Sequence, residues 1–131
     1  MLKQELQDLL DLTNAFRQEH GLNVLTWDDD LAEAAEGHAE DMAAKDYVSH
    51  AQPDGDALPD RLDQAGYDWW TAGENIAMGP RSAEEAFEAW KDSPGHRANM
   101  LNPSFEEMGG GHAEEGVQPD LWVQVFGSEW I

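Results

Sequence analysis

Apolar positions in the first third of the chain recur with helical spacing. Across residues 3–20, Leu6, Leu9, Leu10, Thr13, Phe16 and Arg17 fall three and four apart and Gly21 follows, which predicts an amphipathic helix with a glycine stop. Residues 23–27 form a short extended link, and Asp28 is placed to cap a second helix whose stripe is Leu31, Ala34, Ala35, His38 and Met42. Residues 49–60 contain Pro53, Asp54, Gly55 and Pro59, so this stretch, which carries His50, is expected to be a loop. A short helical piece over residues 61–65 leads through Gly66, Tyr67, Trp69 and Trp70 into residues 73–79. That glycine-bounded segment is expected to be a buried turn or short strand. Ser82 with Glu85 makes a capping box for a helix that buries Ala86, Ala89 and Trp90 and ends before Pro94. Pro94 and Gly95 predict a tight turn, and residues 96–101 one more helical turn that Asn102 and Pro103 end.

The period then changes. Residues 105–113, with three consecutive glycines, and residues 121–126, where Leu121, Val123 and Val125 alternate with Trp122, Gln124 and Phe126, predict two strands joined by an acidic turn. Apolar side chains in both alternating sets imply a strand covered on both faces. Helices first and an antiparallel pair last predict an α+β sandwich. With no internal repeat and no linker, residues 1–131 are expected to be a single domain.

Composition narrows the classes. The 131 residues include no cysteine, which excludes disulfide frameworks, thiolate metal sites and cysteine nucleophiles. Seven Lys and Arg against 28 Asp and Glu leave a formal net charge of −21, which repels phosphate backbones and anionic lipid, so no nucleic-acid partner is expected. Such acidity also keeps a protein dispersed in high salt, consistent with a saline habitat. No apolar stretch of about 20 residues offers a transmembrane segment. The first ten residues do not read as a signal peptide.

Five histidines stand out in a chain so poor in other cations. His20 at a helix end and His38 on an apolar stripe are expected to be structural, and His112 in a glycine-rich strand is open. His50 and His96 lie in a loop and at an element start, where side chains can converge on a cleft. Glu74, between Gly73 and Asn75 in an otherwise apolar segment, needs a partner. It could ligate a metal beside the two imidazoles, act as a general base, or accept backbone hydrogen bonds. No zincin, phosphate-loop, nucleophile-elbow or calcium-loop motif is present.

Taken in order, the segments resemble the CAP superfamily, or SCP domain, in its cysteine-free bacterial branch. The residues that carry the resemblance run from Leu12-Thr13-Asn14-Ala15-Phe16-Arg17 through Gly21-Leu22, Leu25-Thr26-Trp27 and His38-Ala39-Glu40-Asp41-Met42. They continue through Ser49-His50, Arg61, Gly73-Glu74-Asn75-Ile76-Ala77, Ala89-Trp90 and Ser93-Pro94-Gly95-His96-Arg97-Ala98-Asn99 to Trp122-Val123-Gln124-Val125-Phe126-Gly127. The resemblance implies an α-β-α sandwich with a small antiparallel sheet between helical layers. It also implies a central cavity of two histidines and one or two acidic residues that holds a divalent cation such as zinc. His50, His96 and Glu74 match that set. The second acidic position is a departure, because Asp92 or Ser93 stands near its place, and Asn75 is expected to fix the loop that carries Glu74.

The function implied by the resemblance is a secreted, extracellular or periplasmic module, monomeric, whose cavity binds a divalent cation and an extracellular ligand (a lipid, a glycan or a protein). A native start at Met1 would argue against export. Trp69 and Trp70, if exposed, would favour an amphipathic or glycan ligand, although paired tryptophans also serve as core. One alternative is a metal-dependent hydrolase with Glu74 as general base. Another is a structural interaction domain with a vestigial cavity.

Overall fold

The structure, a computed structural model, describes residues 2–117 and 119–130. Met1, on which the export expectation turns, lies outside them, as does Gln118 in the acidic turn. Helix α1 spans Gln4–Glu19 and buries the six residues of the predicted stripe. Strand β1, Thr26–Trp27, precedes α2, Asp29–Lys45, whose first turn is capped by the Asp28 carboxylate accepting from the Leu31 N–H. Its buried face is the predicted stripe extended by Ala39 and Ala43.

The next helix begins earlier than the sequence suggests. Helix α3 spans Leu58–Ala65, because Pro59 fits its first turn and the Asp60 carboxylate accepts from the Ala57 N–H. The predicted turn or short strand is a ten-residue strand β2, Trp69–Met78. Helix α4, Ala83–Lys91, is capped by Ser82 Oγ accepting from the Glu85 N–H, but the Glu85 carboxylate reaches the Arg81 N–H instead of returning to Ser82. This helix buries Ala83, Ala86, Phe87 and Trp90, and leaves Ala89 exposed. Pro94 and Gly95 do not form a separate turn. Proline starts helix α5, Pro94–Met100, at a position that needs no donated hydrogen bond. Strands β3, Glu107–Ala113, and β4, Leu121–Glu129, follow as expected.

The sheet order is β1-β3-β4-β2, with β3/β4 and β4/β2 antiparallel and β1 parallel to β3. It lies between two helical layers, giving an α-β-α sandwich. On one face Leu9, Phe16, Phe87, Trp90 and Met100 from α1, α4 and α5 pack on Met108, Trp122 and Phe126. On the other, Leu31, Ala35 and Met42 of α2 and Leu62 of α3 pack on Val123 and Val125. Each fully buried side chain of this size contributes about 1.5–3 kcal/mol.

The glycine run in β3 explains how closely α2 approaches. A Cβ at Gly109 would lie 2.2 Å from the Ala32 nitrogen, and one at Gly111 would lie 2.5 Å from the Glu36 Cα. Gly110 faces α1, where Leu9 lies at ordinary contact distance. Alternate glycines therefore let the helix backbone rest on the strand backbone.

Candidate functional site

Strand β2 is an edge strand, and its alternation divides the predicted site between two faces. Ala72, Glu74 and Ile76 look toward α2 and α3, while Gly73, Asn75 and Ala77 look toward α5. Glu74 is therefore a strand residue, not a loop residue, and it is buried.

The Glu74 carboxylate is fully engaged. Arg61, on the inner side of α3, donates Nη1–H to Oε2 at 2.5 Å and Nη2–H to Oε1 at 3.2 Å. His50 Nδ1 lies 2.8 Å from Oε1, and Arg61 Nη2 also donates to the His50 carbonyl at 2.5 Å. One guanidinium thus fixes both the carboxylate and the backbone of the loop that carries His50. The remaining His50 nitrogen is not held by these contacts, and the side chain is 61% exposed. An ionised carboxylate only accepts, so His50 Nδ1 must carry the hydrogen.

On the other face, Asn75 Nδ2 donates to the His96 carbonyl at 3.1 Å and to Gln124 Oε1 at 3.2 Å. Asn99 of α5 donates to Asn75 Oδ1 and to the Glu74 carbonyl. Gln124 in turn donates to Thr13 Oγ1, so a buried amide chain ties α1, β4, β2 and α5 together behind the site. His96 Nδ1 lies 3.0 Å from Ser93 Oγ, which puts Ser93 beside the histidine, while Asp92 is exposed at the C-terminus of α4.

Burial pushes the Glu74 carboxyl up, but the hydrogen bonds from His50 and Arg61 outweigh it and hold the group below its ordinary 4.5. The same Glu74 bond raises His50 above 6.5, against burial. Burial and then the nearby His50 lower His96.

Among the described residues, two other groups of three side chains bring one ligating atom each within 4.8 Å: Glu5, His112 and Glu114, and Asp28, Glu107 and Glu129. Either is a group able to hold a cation; His50, Glu74 and His96 do not gather that tightly. His112, left open by the sequence, is buried between the Glu5 and Asp120 carboxylates, each at 2.9 Å, and stacks on Trp122 at 3.8 Å. His20 bonds the Phe16 carbonyl within its helix, and His38 bonds the Ser49 carbonyl. Trp69 packs against the core, whereas Trp70 is 44% exposed and lies 6.4 Å from Trp130. Arg61, which in the sequence carries only part of the family resemblance, is central to the site. Its signal was composition, since a chain with only seven Lys and Arg places one of them on the inner side of a short helix.

No helix of the described residues is long and apolar enough to cross a membrane. The chain is 41% identical over 118 residues to the uncharacterized protein YkwD of Bacillus subtilis, an overlap that covers 90% of this chain and 45% of that one. An extracellular protein containing an SCP domain from Bacillus anthracis superposes with a TM-score of 0.87 at 37% identity, covering 95% of this chain and 40% of that one. An outer surface protein of Borrelia burgdorferi shares the fold at a TM-score of 0.90 and 23% identity, covering 98% and 95% of the two chains. The chain therefore spans less than half the length of its Bacillus relatives. The sandwich and the ordered His, Glu and Asn positions agree with a match of residues 10–126 to the CAP model, and the chain belongs to this cysteine-rich secretory protein family.

Proposed function

We propose that the chain is a ligand-binding CAP domain that works outside the cytoplasm as a monomer, in which His50 and His96 hold a divalent cation, zinc in the first instance. The observation that carries this reading is the way each imidazole is prepared. His50 Nδ1 is tied to a carboxylate and His96 Nδ1 to a hydroxyl, which orients each ring and directs Nε2 to a ligand. In this reading Glu74 orients His50 and does not itself bind the cation, because Arg61 and His50 occupy both of its oxygens. The cation supplies a charged anchor for polar groups of an extracellular lipid, glycan or protein ligand. NaASP2, a more distant relative of this fold at 17% identity and a TM-score of 0.68, has been crystallised with Zn2+.

The hydrolytic reading asks Glu74 to accept a proton. A carboxylate held below its ordinary value, with both oxygens engaged, is a poor base at neutral pH, so binding is favoured over hydrolysis. Calorimetric titration of the metal-free protein with zinc tests the proposal. One-site binding should weaken at pH 5.5, where His50 is protonated, and disappear in the His50→Ala/His96→Ala variant. Glu74→Gln should weaken it by about 10–100-fold without abolishing it. Binding retained in the double variant and lost on Glu5→Gln would move the cation to the His112 group and overturn the proposal.

A further inference from the structure

The edge of the sheet remote from β2 is incomplete. Strand β1 covers β3 only at Glu107 and Met108, so the rest of β3 has no strand on its outer side. Met108 turns its carbonyl outward to accept from the Asp28 N–H, and His112 turns its N–H outward to the Glu36 carboxylate at 3.0 Å. Backbone groups of paired strands alternate in direction, so Gly110, midway between these two, also points its N–H and C=O away from β4. Among the described residues neither group has a hydrogen-bond partner. Gly110 lines an open groove of about 450 Å³ at this edge.

The two walls of the groove differ. Leu2, Leu6 and Trp27 belong to the apolar layer around α1, and Leu2 and Trp27 are only half-buried. The α2 wall carries Asp29 and Glu33, both exposed, and the half-buried Glu36, and among the described residues none of the three is in an ion pair. Lys3 is the one cation among the described lining residues. An extended chain laid along the edge meets both walls by its own geometry, because opposed residues of paired strands share a face and successive residues alternate between faces. Gly110 faces α1, where an added Cβ would lie 3.5 Å from Leu9, while Gly109 and Gly111 face α2. A residue opposite Gly110 therefore turns its side chain to the Leu2 and Leu6 wall, and its two neighbours turn theirs to the carboxylates. Its main chain offers an acceptor to the Gly110 N–H and a donor to the Gly110 C=O, the exchange made in an antiparallel pair. An ammonium ion alone has no acceptor for the N–H, and an anion has no donor for the C=O and meets three carboxylates.

We propose that this groove binds an extended peptide segment of basic, apolar, basic side-chain order, added as a strand to the open edge of β3 with its apolar residue opposite Gly110. The site lies at the opposite end of the sheet from β2, and so from Glu74 and the two histidines, and does not depend on the cation.

The test is a titration of the ¹⁵N-labelled chain, with chelator present, with the acetylated and amidated tripeptide Lys-Leu-Lys, following the Gly110 amide by NMR. Lys-Gly-Lys keeps the charge without the apolar side chain, and Glu-Leu-Glu reverses the charge. A saturable shift of the Gly110 amide and slower exchange of its hydrogen are expected with Lys-Leu-Lys, clearly weaker binding with Lys-Gly-Lys, and none with Glu-Leu-Glu. Asp29→Asn/Glu33→Gln, two exposed positions, should raise the apparent Kd about tenfold and leave the free spectrum native elsewhere. Readout at Gly110, not at His50 or His96, keeps the result distinct from that of zinc binding. No saturable change at Gly110 would mean that water alone serves the edge, and equal binding of Lys-Gly-Lys would reduce the effect to attraction by the acidic surface. Binding of Glu-Leu-Glu, or an unchanged Kd in the double variant, would remove the carboxylates from recognition. Each of these overturns the proposal.

Discussion

Arg17 and Arg61 are both buried arginines in a chain of net charge −21, yet they are built in opposite ways. Arg17 donates to the carbonyls of Asn23, Met100, Asn102 and Phe105 and to Asn23 Oδ1, at 2.8–3.3 Å. Its partners are fixed dipoles from three chain segments, its fork is used on every nitrogen, and no carboxylate takes part. Arg61 instead pairs with Glu74 and the His50 carbonyl and leaves Nε without a protein partner. A guanidinium saturated by backbone carbonyls is a rivet that closes loops around a core. One that is shared between a buried carboxylate and a loop carbonyl ties the position of one side chain to that of another.

The contrast fails if the two arginines cost the same to remove. Arg17→Leu should cause the largest loss, about 4–6 kcal/mol in urea unfolding, because it takes the donor from the Asn23 and Met100 carbonyls and one of two donors from those of Asn102 and Phe105. Arg61→Leu should cost less, about 2–4 kcal/mol, since Glu74 keeps its bond to His50. Arg61→Leu/Glu74→Leu should be less damaging than the sum of its parts, because the stranded carboxylate leaves with the cation. Equal losses for the two single variants would mean that Arg61 is as structural as Arg17.

A pH series sharpens the site half of the comparison. Glu74 is depressed on folding, so its stabilisation is present above its ordinary 4.5 and disappears as pH falls through the folded value. His50 is raised, so its contribution is complete below 6.5 and disappears as pH rises through the folded value. The pair should therefore stabilise the metal-free protein most between about pH 4.5 and 6.5. Glu74→Gln should flatten that difference and bring the His50 titration, followed by NMR, back toward 6.5. An unchanged His50 titration would show that the 2.8 Å contact is not formed in solution. The smallest effect belongs to His50→Gln, an exposed side chain whose loss should change stability by no more than about 0.5 kcal/mol while removing zinc affinity.

Most of the helices were legible along the chain. The α1 stripe matched the buried face residue by residue, and that of α2 was contained in a face widened by Ala39 and Ala43, because one-sided burial imposes a 3.6-residue period that local composition reports. Strand β2 was harder to see. Thr71, Glu74 and Asn75 interrupt its apolar pattern because two of them serve the site, and its hydrogen-bonding partner β4 lies about 50 residues further on. His50 and His96 stood out beside turn residues and Glu74 as a carboxylate in an otherwise apolar segment, but nothing local placed Glu74 and Asn75 on opposite faces of one edge strand. That alternation makes the carboxylate an orienting partner of His50 and leaves the backbone of His96 to an amide chain.

The sequence alone settled the helical periods, the caps at Asp28 and Ser82, the final strand pair and the absence of thiol chemistry, since each depends on neighbours within a few residues or on composition. Tertiary structure decided the sheet order, the close seat of α2 on the β3 glycines and the two roles of Arg61. These depend on contacts between segments far apart in the chain, where the direction of a side chain is set by what packs against it.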